Sequence, residues 1–140
     1  MTLVVDASVA LKWFLGGDGE PDTSAASDLL RHYAEGDATL VAPVHFVAEV
    51  AAALAREAPG SMHSRVDDLR ALSIPVRDDP LILARAMELA RELDHHLFDT
   101  LYHAVALAEP DALLVTADAK YLARARGRGR VVALVDWRPG

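Results

Sequence analysis

Near the start of the chain stands Leu3-Val4-Val5-Asp6-Ala7-Ser8-Val9-Ala10-Leu11-Lys12-Trp13-Phe14, in which a short apolar run ends at an acid and a helix-forming segment follows at once. The apolar run predicts a buried strand. Asp6 occupies the position where an N-cap residue starts a helix. A strand that leads directly into a helix is the repeating unit of α/β folds.

The same alternation recurs along the rest of the chain. Apolar runs predict further strands at residues 40–41, 112–115 and 131–135, with a weaker candidate at 74–76. Helices are predicted over residues 7–15, 22–35, 44–58, 62–72, 80–93 and 97–108. Residues 16–21, rich in glycine, predict a surface loop. Short buried strands between Ala-rich helices predict an α/β fold around a mostly parallel sheet.

Length and composition restrict the class of protein. With 140 residues, of which 52% are hydrophobic, the chain predicts one folded domain over 1–140 and excludes intrinsic disorder as its main state. The absence of cysteine excludes disulfide scaffolds, thiolate metal sites and cysteine nucleophiles. Any metal must therefore take oxygen or imidazole ligands.

The start of the chain has no basic segment, and Asp6 interrupts its apolar run long before a signal peptide could form. No uncharged apolar run approaches the roughly 18 to 20 residues needed to cross a bilayer. We therefore expect a soluble, cytoplasmic protein with no membrane contact.

Charge is distributed unevenly. The net charge is −7, yet residues 119–140 carry six basic residues against Asp136 alone, a net +5, which leaves −12 on residues 1–118. Arginines and glycines alternate in the segment Arg124, Arg126, Arg128 and Arg130. This segment is either a solvated turn or a loop that contacts the phosphates of RNA.

Two acids, Asp6 and Asp118, follow predicted buried strands, and N-capping explains each of them singly. Because ligands of open parallel sheets collect beyond the carboxyl ends of the strands, the two acids converge if their strands are neighbours. Glu49 lies in an almost wholly apolar helix, and Asp99 lies in the first turn of another. The helix dipole explains Asp99 but not Glu49.

Four carboxylates brought together would repel one another unless a cation neutralised them. Mg²⁺ and Mn²⁺ prefer oxygen ligands and keep several waters, which leaves room for a phosphodiester and an attacking water. Such a site supports metal-assisted hydrolysis of phosphodiester bonds. We expect Asp6, Asp99 and Asp118 to hold one ion, and Glu49 to bind a second ion or to orient the water.

Four segments, taken in order, resemble the successive motifs of PIN-domain ribonucleases, and the strongest likeness is to VapC-type toxins of bacterial toxin-antitoxin pairs. The segments are Val4-Val5-Asp6-Ala7-Ser8-Val9-Ala10-Leu11-Lys12-Trp13-Phe14, Ala42-Pro43 with Glu49-Val50, Phe98-Asp99-Thr100-Leu101-Tyr102, and Leu114-Val115-Thr116-Ala117-Asp118. The third segment carries Phe-Asp-Thr where the family usually has Tyr-Asp-Ala, and it keeps the acid.

The resemblance implies a PIN-like three-layer α/β/α fold with a mostly parallel central sheet of four to five short strands. It implies a homodimer, an RNA substrate such as tRNA or rRNA, and a cognate antitoxin that covers the acidic groove. The implied metal-binding and catalytic acids are Asp6, Glu49, Asp99 and Asp118, with Ser8 and Thr116 as flanking hydroxyl residues that orient ligands or waters.

Three other interpretations remain open. His95, Asp99 and His103 are spaced by four residues each, so they would share a helix face and favour Zn²⁺, Ni²⁺ or Mn²⁺ if the helix began early enough. A haloacid-dehalogenase-like phosphatase also has an acid after its first strand, but it needs a second one where Ser8 stands. The third interpretation is a non-catalytic PIN-fold protein-interaction module, for which Trp13 and Phe14 would contribute an apolar surface.

Overall fold

The computed structural model describes residues 1–17 and 19–140. Asp18, within the predicted surface loop at 16–21, lies outside the described residues. Within them the strands are β1 (Thr2–Val5), β2 (Thr39–Leu40), β3 (Ala42–Pro43), β4 (Val76–Arg77), β5 (Ala112–Thr116) and β6 (Val131–Ala133). The α-helices are α1 (Ala7–Phe14), α2 (Thr23–Ala34), α3 (Phe46–Glu57), α4 (Met62–Ala71), α5 (Pro80–Leu93), α6 (Leu97–Ala108) and α7 (Ala119–Ala125).

The central sheet has the strand order β2-β1-β5-β6, and every pair in it is parallel. Strand β1 lies in the middle, with Leu3 opposite Leu40 on one side and opposite Leu113 on the other. Strand β2 lies on one side of β1, whereas β5 and then β6 lie on the other side, so the order of strands reverses direction after β2. Because crossovers between parallel strands are almost always right-handed, this reversal of direction is expected to place helices on both faces of the sheet. The predicted α/β fold with a mostly parallel central sheet of four to five strands is confirmed.

The single strand predicted at residues 40–41 is instead two short strands in two sheets. Val41 donates its amide hydrogen to Leu3 in the central sheet (3.1 Å), and Ala42 donates to Pro75 beside β4 (2.9 Å). Strands β3 and β4 form a separate parallel pair. The chain therefore changes sheets at Val41, which a continuous apolar run does not reveal.

The last part of the chain differs most from the prediction. The strand predicted over 131–135 ends at Ala133, and a single 3-10 turn follows at Leu134–Asp136. Helix α7 was not predicted, and a 3-10 turn at Arg126–Arg128 continues it. Part of the segment predicted as a turn or loop is thus helical, because Asp118 caps α7 and good helix formers follow it.

A continuous hydrophobic cluster surrounds the sheet. Strands β1 and β5 are almost fully buried, and helix α6 packs against both of them with buried residues through most of its length. The apolar character of α6 on most sides follows from this central position. None of the described helices combines the length and apolar character needed to cross a membrane.

Candidate metal centre

The neighbouring strands β1 and β5 end side by side, with Val5 opposite Val115. The next residues, Asp6 and Thr116, therefore meet at the carboxyl edge of the sheet. The Thr116 hydroxyl donates to Asp6 Oδ2, and the Ser8 hydroxyl donates to Asp6 Oδ1. The predicted convergence of the two strand ends thus occurs, with hydroxyl groups as the link.

Asp118 is joined to the same network through its backbone. Its amide hydrogen is donated to Thr116 Oγ1 (3.0 Å), while Ala117 donates its amide hydrogen to Ser8 Oγ (3.1 Å). Each of these two hydroxyls therefore accepts a hydrogen bond from a backbone amide just after β5 and donates one to Asp6. The loop after β5 is held in one position relative to the loop after β1.

Both strand-end acids also cap helices. Asp6 Oδ1 accepts from the Val9 amide (3.3 Å) at the start of α1, and Asp118 Oδ1 accepts from the Tyr121 amide (3.0 Å) at the start of α7. The N-cap interpretation is therefore confirmed for each acid. Capping uses only one oxygen of each carboxylate.

The half-buried Asp6 carboxyl is electrostatically unusual. Burial raises the pKa of Asp6 to about 6, although the hydrogen bonds from Ser8, Thr116 and the Val9 amide favour the charged form. The negative charge of Asp118 raises the pKa of Asp6 further. A nearby cation would relieve both the desolvation and the repulsion.

Glu49 and Asp99 reach the same region from helices α3 and α6. The Tyr102 hydroxyl donates to Glu49 Oε1 (2.6 Å), and Tyr102 itself is fully buried. Burial and the bond to Glu49 raise the pKa of Tyr102 above its usual range, with smaller contributions from the charges of Asp6 and Asp99. The neutral Tyr102 hydroxyl thus lies among three acids and can serve only as a donor to Glu49.

One group in the described residues brings together donors for a metal ion beside this network: His95, Asp99 and Asp118, whose donor atoms all lie within 4.8 Å of one another. His95 Nε2 lies 2.7 Å from Asp99 Oδ2. Two carboxylates and an imidazole are a donor set that suits a divalent ion. These three residues therefore fit such an ion. Among the described residues, Asp6 and Glu49 do not belong to a group whose donor atoms all lie this close together.

The alternative trio of His95, Asp99 and His103 is wrong in its third member. Helix α6 begins at Leu97, so His95 lies in the preceding link and not on the helix face. His103 is buried elsewhere, with Nδ1 at 2.9 Å from the Tyr121 hydroxyl and Nε2 at 2.8 Å from the Gly129 carbonyl. Burial lowers the pKa of His103, so the neutral ring bridges these two groups.

The arginine segment is only partly available to a ligand. Arg124 donates to the Asp94 carbonyl, and Arg130 donates to the carbonyls of Ala106 (3.2 Å) and Glu109 (2.9 Å). Arg128 pairs with Glu92 at 2.6 Å. The exposed Arg126 has no salt-bridge partner in the described part of the chain. Its position follows the end of α7.

A parallel α/β sheet with acids and hydroxyls at its carboxyl edge defines a class of protein that binds its ligands beyond the strand ends. The chain belongs to the PIN domain family, whose model matches residues 3–127. PIN domains are generally nucleases.

Two solved structures share the fold. One is VapBC2 of Rickettsia felis bound to a DNA fragment from their promoter. It is 19% identical, the alignment covers 99% of this chain and 100% of that chain, and the TM-score is 0.70. The other is PAE2754 of Pyrobaculum aerophilum, with 19% identity, 96% and 90% covered, and a TM-score of 0.67. No curated protein matches the sequence.

Sequence reasoning missed two contacts in the site. Tyr102 was not connected with Glu49, although a tyrosine in an apolar helix needs a hydrogen-bond partner when buried. The predicted helices 80–93 and 97–108 leave His95 in the link between them, but they do not indicate its approach to Asp118. The first contact had a signal in the sequence, whereas the second depends on where α7 packs.

Proposed function

We propose that this protein is a metal-dependent endoribonuclease of the VapC type, the toxin of a toxin-antitoxin pair. The observation that carries the proposal is the convergence of Asp99 and Asp118 with His95 within 4.8 Å, beside the hydroxyl network of Asp6. Membership of the PIN family and the fold shared with a VapBC complex support it.

The proposed chemistry is hydrolysis of an RNA phosphodiester bond. Asp6, Asp99 and Asp118 would hold Mg²⁺ or Mn²⁺, and Glu49 would bind a second ion or orient the attacking water. A bound divalent ion supplies a lower water pKa and stabilises charge on the phosphate. In-line attack leaves a 5′-phosphate and a 3′-hydroxyl, so detection of a 2′,3′-cyclic phosphate would contradict this route.

The protein's own groups prepare the site for this reaction. Ser8 and Thr116 hold Asp6 in one orientation, and Tyr102 holds Glu49 through its hydroxyl. Each carboxylate therefore meets its ligand with little loss of side-chain freedom.

The substrate would approach past a basic rim. A depression of about 350 Å³ next to His95 is lined also by Asp94, His96, Lys120 and Arg124. Cationic side chains at this position attract the backbone phosphates of RNA such as tRNA or rRNA. We also propose a homodimer, a cognate antitoxin that covers the acids, and a cytoplasmic location, as the VapC likeness implies.

The test is cleavage of a pool of total tRNA and rRNA by the purified protein in EDTA, Mg²⁺ or Mn²⁺. We expect cleavage that requires the metal and disappears in Asp6→Asn and Asp118→Asn. The matched control is Asp67→Asn, which neutralises an exposed acid on α4 and should cleave as the wild type does. Folded wild-type protein that cleaves nothing with any ion would overturn the proposal and favour a non-catalytic interaction module.

A further inference from the structure

We propose that His95 is a nitrogen ligand of the metal ion in this site, so that the site selects a first-row transition ion over Mg²⁺. The inference rests on the proposed function and extends it to the identity of the ion. Neither the four acids of the motif resemblance nor the family match assigns a histidine to the site.

The position of His95 is the first argument. His95 lies in the link between α5 and α6, yet its side chain is only 4% exposed. Its Nε2 atom lies 2.7 Å from Asp99 Oδ2, and the carboxylate of Asp118 completes the group. The ring nitrogen thus faces the acids from a protected position.

The surroundings hold the ring in this position. The His95 amide hydrogen is donated to the Ala90 carbonyl (3.0 Å), and Arg124 donates to the carbonyl of the adjacent Asp94. The His95 ring packs edge-to-face on the Tyr121 ring, with ring centres 4.9 Å apart. A ligand fixed in this way loses little freedom when it binds.

Tyr121 is itself anchored. Its hydroxyl lies 2.9 Å from His103 Nδ1, and His103 Nε2 lies 2.8 Å from the Gly129 carbonyl. Since a carbonyl can only accept, His103 Nε2 carries the hydrogen, and Nδ1 accepts from Tyr121. These contacts fix the Tyr121 ring on which His95 packs.

The remaining acids have other partners. Both oxygens of Asp6 accept hydroxyl hydrogen bonds, and Glu49 is held by Tyr102. These hydrogen bonds orient Asp6 and Glu49, and the nitrogen of His95 is a further donor that lies with Asp99 and Asp118 in one group. Without an ion, His95 Nε2 donates its hydrogen to the Asp99 carboxylate, which can only accept. A bound ion takes the place of this hydrogen, and the neutral ring then carries its hydrogen on Nδ1.

The donor set determines the preference among ions. Mg²⁺ takes oxygen ligands and keeps its waters, whereas imidazole suits first-row transition ions. One imidazole beside two carboxylates should therefore raise the affinity for Mn²⁺ relative to that for Mg²⁺.

The test is pulsed electron paramagnetic resonance of the full chain loaded with Mn²⁺, which detects an imidazole nitrogen bonded to the ion. We expect nitrogen coupling in the wild type, its loss in His95→Gln, and its retention in His96→Gln, the exposed neighbouring control. Calorimetric titration should show Mn²⁺ affinity lowered at least about tenfold in His95→Gln, with Mg²⁺ affinity changed far less.

If His95→Gln fails to fold, the wild type and His32→Gln together decide the question. His32 belongs to a second group of possible metal donors, with Glu35 and Asp37, and its replacement should leave the nitrogen coupling unchanged. Bound Mn²⁺ without imidazole coupling would overturn the proposal and leave the proposed nuclease intact, because the acids alone would then hold the ion. If the folded wild type binds neither Mn²⁺ nor Mg²⁺, this proposal and the metal dependence of the nuclease both fail.

Discussion

The hydroxyl of Thr116 donates a hydrogen bond to Asp6 across 110 positions of sequence, and it joins the ends of two neighbouring parallel strands. The same oxygen accepts the amide hydrogen of Asp118 (3.0 Å). One side chain thus sets the spacing between the two strand-end acids. Its contribution depends on the ionisation of Asp6, since a donated hydrogen bond favours the charged carboxylate.

Removal of this hydroxyl should destabilise the metal-free protein in a pH-dependent way. Thr116→Val is expected to lower the free energy of unfolding by about 1–2 kcal/mol at pH 8, where Asp6 is ionised. The loss should be smaller at pH 5, because the pKa of Asp6 is about 6 and its protonated form needs the donor less. Urea denaturation in EDTA measures both values. Thr116→Ser keeps the hydroxyl and should behave as the wild type does, and an equal loss at both pH values would contradict the expectation.

The ionisation of Asp6 itself should lower stability in the absence of metal. Its pKa is about 6 in the folded protein against 3.8 as the ordinary value, so the folded state holds the proton more tightly. The stability that this proton provides is complete below pH 3.8 and is lost as pH rises through 6. Asp6→Asn should therefore be more stable than the wild type at pH 7.5, by at most about 3 kcal/mol.

The measurement is thermal and urea unfolding in EDTA from pH 4.5 to 8, with Asp67→Asn as the exposed-acid control. The difference between Asp6→Asn and the wild type should grow with pH and then level off above 7. Saturating Mn²⁺ should raise the melting temperature of the wild type and have less effect on Asp6→Asn. A difference that shrinks with rising pH would contradict the raised pKa.

The contact between Tyr102 and Glu49 should matter to both stability and cleavage. Tyr102→Phe leaves Glu49 without its donor at 2.6 Å, and a double-mutant cycle with Glu49→Ala, which removes the acceptor, should give a coupling free energy of about 1–2 kcal/mol. Because Glu49 then loses its fixed orientation, metal-dependent cleavage should fall by about tenfold.

A second tyrosine provides the control. The Tyr33 hydroxyl donates to the Leu72 carbonyl (2.7 Å), and no hydrogen bond among the described residues joins it to the four acids. Tyr33→Phe should lower stability by a similar amount and leave cleavage unchanged. Equal cleavage by both tyrosine variants and the wild type would show that Glu49 needs no positioning by Tyr102.

Two arginines of the basic segment should separate RNA binding from folding. In an Asp6→Asn background, Arg126→Ala should weaken RNA binding and reduce its salt dependence by about one phosphate contact, with stability unchanged. Arg130→Ala should instead cost about 1–2 kcal/mol of stability, because Arg130 donates to the carbonyls of Ala106 and Glu109. Binding is measured by fluorescence anisotropy over a salt series, and stability by urea denaturation. If Arg126→Ala binds RNA with the same salt dependence as the parent protein, Arg126 makes no contact with an RNA phosphate.

Local sequence patterns predicted much of the fold. The apolar runs ending at Asp6 and before Asp118 predicted strands β1 and β5, and the helices 80–93 and 97–108 begin and end as predicted. These features depend on residues close together in the chain, such as caps and apolar periodicity. The prediction failed at residues 40–43, because the change of sheet at Val41 is determined by the positions of Leu3 and Pro75.

The amino-acid sequence alone determined that the chain forms an α/β fold, that it has no thiol chemistry, and that acids stand at strand ends and in apolar helices. Tertiary structure decided which of these groups meet. His95 joins Asp99 and Asp118, while Glu49 binds Tyr102. The reason is physical: a cap or a strand is specified by neighbours in sequence, whereas a donor set requires side chains from separate elements to be placed within a few ångströms by the packing of the whole core.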